Sequence, residues 1–84
     1  MDWQPHIVAT PGTLGGRPRI AGTRIGVDFV LDLLASGWNE AQILEHYPHL
    51  RPEQLQAVFA FVRDCLRDEA FVMRAKIDEA AAPT

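Results

Sequence analysis

The spacing of apolar residues changes at Val27. Before that point, short apolar runs alternate with turn residues; after it, apolar positions recur at helical intervals. His6-Ile7-Val8 reads as a short strand that ends at Thr10-Pro11-Gly12. Arg17-Pro18-Arg19-Ile20 reads as an edge strand, because Pro18 has no N–H to give a central ladder. Ala21-Gly22, between Ile20 and Thr23-Arg24-Ile25, predicts a tight two-residue hairpin. Val27, Val30, Leu31 and Leu34 then fall on one helical stripe, which Phe29 and Leu33 widen, and Gly37 supplies the stop. Asn39 with Gln42 predicts a capping box for a second, short helix, with Trp38 and Ile43 as its hydrophobic staple and Pro48 as its end. Pro52 opens a third helix behind a second staple, Leu50 with Leu55, although Arg51 is a poor N-cap. Leu55, Phe59, Val62, Leu66, Met73 and Ile77 mark a seam that continues for about 25 residues, before Ala80 to Thr84 fray.

The expected architecture is mainly α. A short N-terminal β-hairpin arm (residues 5–25) precedes a three-helix core with helix-turn-helix spacing (26–70), a pattern that any three-helix bundle shares, and a C-terminal helix extension and tail (71–84) complete one domain. A chain of 84 residues has little stability to spare, because it buries only roughly 60–65% of its unfolded surface, and oligomerisation is a common remedy. Hydrophobic content of 48% and charged content of 23% place it among ordinary globular domains. A single cysteine, Cys65, excludes an internal disulfide and fits a reducing compartment. Neither a leader-like segment nor an apolar run of membrane-spanning length is visible, so the cytoplasm is the expected location.

Net charge is −3, but it is unevenly spread. Residues 1–25 carry Arg17, Arg19 and Arg24 against Asp2, whereas residues 26–50 carry Asp28, Asp32, Glu40 and Glu45 with no lysine or arginine. The glycines between Gly12 and Gly16 are not followed by the lysine and helix that a phosphate loop needs. His46 and His49 are separated by Pro48 and lack further ligands, so no metal or other cofactor is expected. Ser36 has no local histidine and acid partners, and the acids lie on amphipathic helices. No enzyme or small-molecule substrate is expected; a binding module is.

Two constellations suit binding. Three arginines on a hairpin arm can meet phosphates or an acidic protein surface, or they can pair with carboxylates of their own chain, such as Arg24 with Asp28. A short helix, tight turn and longer helix can place a reading helix on DNA, where Arg51, Gln54 and Gln56 near its N-terminus offer donors. Gly22 and the Thr23 hydroxyl also suit a purely structural turn.

The run Gly15-Gly16-Arg17-Pro18-Arg19-Ile20-Ala21-Gly22-Thr23-Arg24-Ile25 closely resembles the GGxPxIxGTRIxV signature of the bacterial DUF433 family. Ile43-Leu44-Glu45-His46-Tyr47-Pro48-His49-Leu50 resembles that family's ILxxYPxL, and Leu55 to Val62 its next helix, so the likeness covers roughly residues 5–70. Arg51 departs from it, standing where members often have a Ser or Thr cap. The resemblance implies a homeodomain-like or winged-helix-like helix-turn-helix protein similar to VapB-type antitoxins, which as a homodimer neutralises a PIN-like nuclease toxin and represses its own operon. Arg17, Arg19, Arg24, Arg51, Gln54 and Gln56 then become candidates for operator DNA, and Leu66, Met73 and Ile77 for the partner or dimer interface. A DNA-binding regulator without a toxin and a structural dimerising adaptor are the alternatives.

Overall fold

A computed structural model describes residues 1–67, and the Met73 and Ile77 positions lie outside the described residues. The elements run β1 (Ile7–Val8), β2 (Arg19–Ile20), α1 (Val27–Ala35), α2 (Glu40–His46) and α3 (Pro52–Leu66). The chain is thus mainly helical, with a two-stranded antiparallel sheet at its N-terminus.

The sheet differs from the expected hairpin in its partner. β2 pairs with β1, Ile7 opposite Ile20 and Val8 opposite Arg19. The Ala21-Gly22 turn does form, closed by Thr23 N–H to the Ile20 carbonyl at 3.1 Å, and Gly22 takes the positive φ of 79° such a turn needs. Thr23 and Arg24, however, belong to the loop and not to a returning strand. Contact resumes only at Ile25, whose carbonyl accepts from Ile20 N–H at 2.9 Å, and at a bridge between Arg19 and Gly26. Arg19-Ile20 is therefore flanked on both sides. Pro18, just before it, contributes only its carbonyl, which accepts from Val27 N–H at 3.0 Å; this arrangement asks for no N–H at that position.

The helix boundaries follow local chemistry. At the end of α1, Gly37 (φ 98°) and Trp38 donate to the Leu34 and Leu33 carbonyls, each at 3.0 Å, as in a Schellman stop. At the start of α2 the Asn39 Oδ1 accepts from Gln42 N–H at 2.8 Å, and Gln42 Oε1 accepts from Asn39 N–H at 2.9 Å. Replacing Asn39 with alanine removes the first of these and is expected to cost about 1 kcal/mol. In a domain of this size the thermal midpoint should fall by about 4–8 °C, readable by circular dichroism.

One core unites the elements. Ile7 and Ile20 of the sheet meet Val27 and Val30 of α1, Ile43 of α2, Leu50 of the α2–α3 turn, and Leu55, Ala57 and Val58 of α3. Two residues expected to face inward do not. Phe29 is 40% exposed and sits edge-on to Tyr47, their ring centroids 5.8 Å apart; Phe59 is 38% exposed. The buried stripe of α3 runs instead through Leu55 and Val58 towards half-buried Phe61 and Val62. No helix among the described residues is long and apolar enough to cross a membrane.

Candidate partner-binding surface

The three arginines of the arm have three different fates. Arg17 reaches α1 and pairs with Asp28 at 2.9 Å, both side chains remaining largely exposed. It takes the acid that the sequence offered to Arg24. Arg19 is half-buried and turned into the loop, donating to the Thr23 carbonyl and the Thr10 hydroxyl oxygen, each at 3.0 Å, while its Nε is buried without a partner. It holds the arm together and is not presented to phosphate. Arg24 is exposed and makes no ion pair among the described residues. It lines an open hollow of about 350 Å³ with Leu14, Arg17, Asp28 and Phe29.

At the start of α3 the expected reading residues also divide. Arg51 is exposed and pairs with Glu53 at 3.3 Å. Gln56 is exposed. Gln54 is only 8% exposed, and its Oε1 accepts from the Arg51 backbone N–H at 2.8 Å. It caps its own helix, which removes it from the residues available to a groove. Position 54 lies one turn from buried Val58 and on its face, so its amide packs inward.

The larger feature lies between α1 and the second half of α3. Val27 and Leu31 from one side and Phe61, Val62, Cys65 and Leu66 from the other enclose an open, mainly apolar groove of about 880 Å³. Leu66, expected at an interface, is 54% exposed at its end. The Arg17–Asp28 pair borders this groove and the Arg24 hollow alike, so the two form one continuous surface.

Trp3 fixes the α3 side of the groove. Its ring stands edge-on to Phe61 with centroids 4.7 Å apart, and its indole N–H donates to Asp64 Oδ2 at 2.7 Å. The sequence reading missed this strap; the one available signal was a tryptophan stranded in an otherwise polar N-terminus. That hydrogen bond, with the Arg63 and Arg67 guanidinium groups at 3.2 and 3.8 Å, holds the Asp64 carboxyl below its ordinary range, against a smaller opposing effect of burial. A carboxyl depressed in the folded state stabilises the fold above its unfolded pKa and loses that contribution as pH falls through the folded value. The stability difference between wild type and Asp64→Asn is therefore expected to be present at neutral pH and to vanish in acid. Thermal melts of both across that range, followed by circular dichroism, check it.

The chain matches the family model described as a protein of unknown function (DUF433) over residues 7–62. No curated protein matches it. Its fold is similar to the crystal structure of a DUF433 member protein from Anabaena variabilis, with 31% sequence identity and a TM-score of 0.70, over 84% of this chain and 67% of that one. Those two likenesses cover the signature-bearing arm together with all three helices, and the chain belongs to the DUF433 family.

Proposed function

We propose that this chain is an antitoxin-type binding protein, which as a dimer neutralises a PIN-like nuclease toxin by direct contact and regulates its own operon. The observation that carries the protein-holding part is the open apolar groove beside Leu31, Phe61 and Leu66. An apolar groove of this extent, left open among the described residues, suits a surface that a protein partner covers. Dimerisation is assigned to the segment after Leu66, with Met73 and Ile77.

Co-expression with the product of the adjacent reading frame tests the toxin reading. A complex that co-purifies at fixed stoichiometry, and that relieves growth arrest by that product, supports it. Two proteins that separate cleanly overturn it.

Operator binding is the second reading, with α2 and α3 as a helix-turn-helix. It rests on Arg24, Arg51 and Gln56, which face solvent, with Arg17 held by Asp28. Glu53 beside Arg51, together with the acids of α1 and α2, opposes phosphate there. A gel shift on the upstream DNA that weakens steeply with salt supports this reading; no shift at low salt removes it.

A further inference from the structure

The surface continuous from the Arg24 hollow to the Leu66 end of the groove has a definite chemistry. Its apolar part is built by Leu31, Phe61, Val62 and Leu66, and its polar part by two arginines facing one acid. Asp28 is already engaged by Arg17 at 2.9 Å, which leaves Arg24 without an ion pair among the described residues. Arg24 is bordered by Leu14 and Phe29, each 40% exposed, so a carboxylate that reaches it lies beside apolar side chains. The sign is unusual for this protein, whose net charge is −3.

We infer that this surface takes an amphipathic helical segment of a partner protein, with its apolar stripe in the α1–α3 groove and an acidic side chain on Arg24. The inference rests on the partner-holding reading and specifies the chemistry of the segment held. A groove with apolar side chains from two helices along its walls suits a helix laid in it through residues spaced i, i+3, i+4 and i+7. The Arg17–Asp28 pair at the junction sets the register between the apolar and acidic parts.

The test uses the full chain and two fluorescein-labelled synthetic peptides with the same leucine stripe. One carries glutamates at its polar positions and the other lysines. Fluorescence anisotropy is expected to show the acidic peptide binding about tenfold more tightly, a preference opposite to the one that the protein's net charge favours. Arg24→Glu should abolish or invert that ratio, and Leu66→Lys should weaken both peptides. Both positions are exposed, and a thermal melt establishes that each variant folds. Equal affinities, a preference for lysine, binding indifferent to Leu66→Lys, or no binding of either peptide would overturn the inference. So would a wild-type dimer that refuses the peptide and becomes monomeric on Leu66→Lys, since a second copy would then fill the groove. The peptides report on the groove without any toxin. A failure here thus stays distinct from a failure to co-purify the adjacent gene product.

Discussion

Replacing Ile20 with alanine is expected to destabilise the protein by about 2–5 kcal/mol, the range for emptying a large side chain from a closed core. Ile20 is fully buried (0% exposed) and lies opposite Ile7 in the sheet. Its backbone N–H donates to the Ile25 carbonyl and its carbonyl accepts from Thr23 N–H, both within the arm, while the strand register sets it beside Ile7 of β1. A cavity here therefore opens where the arm, the N-terminal strand and the helices meet. Small domains are stable by about 5–15 kcal/mol in total, so this one change consumes a large share. Urea melts should show a lower midpoint with an unchanged slope. Gln56→Ala, on an exposed position of α3, should move stability by no more than about 0.5 kcal/mol. If the Ile20 variant melts with wild type, the arm is not part of the cooperative unit.

The second large effect is expected at Thr23, which lies within the signature. Its hydroxyl donates to the Ile20 carbonyl at 2.8 Å and accepts from Ile25 N–H at 3.0 Å, so one oxygen joins the two ends of the loop. Thr23→Val keeps the shape and removes both bonds, leaving a backbone donor and a half-closed carbonyl without that partner. The expected cost is about 1–3 kcal/mol. Thr23→Ser keeps the hydroxyl and should retain most of the stability. Amide exchange at Ile25 should accelerate in the valine variant and stay slow in the serine variant. A valine variant as stable as wild type, with Ile25 still protected, would show that the hydroxyl does not hold the loop.

These two residues also mark how far the sequence could be read. The loop chemistry of Gly22 and Thr23 was legible, because a turn is closed by groups three residues apart and its demands appear in the residues themselves. The same holds for Gly37 at the end of α1, for the Asn39–Gln42 box, and for Pro52 at the start of α3. The strand that pairs with β2 was not legible. Ile25–Gly26 returns to one side of β2, as a local turn announces, but Ile7–Val8 reaches the other side from beyond the glycine loop, with no local turn to mark the pairing.

The candidate surface was legible in part. Arg17, Arg24, Arg51, Gln56 and Leu66 are exposed, as their proposed roles require, whereas Arg19 and Gln54 are spent inside the fold. Which arginine reaches Asp28 depends on where the loop returns to α1, a relation among residues 17, 24 and 28 that no local pattern contains. In α3, steps of three and four fit both a stripe through Phe59 and one through Phe61. Trp3, arriving from the far end of the chain, covers the latter.

By itself, then, the sequence determined the order of the elements, the helix starts and stops, the turn at Gly22 and the family. Each of these is set by bonds that close within a few residues, or by a run of adjacent residues. Only the tertiary structure decided which side chains remain free to bind. Burial and ion pairing are competitions between distant groups for the same space and the same charges, and they were settled when Ile7, Ile20, Val30, Ile43 and Leu55 closed into one core. The groove between α1 and α3 is what that packing left open among the described residues.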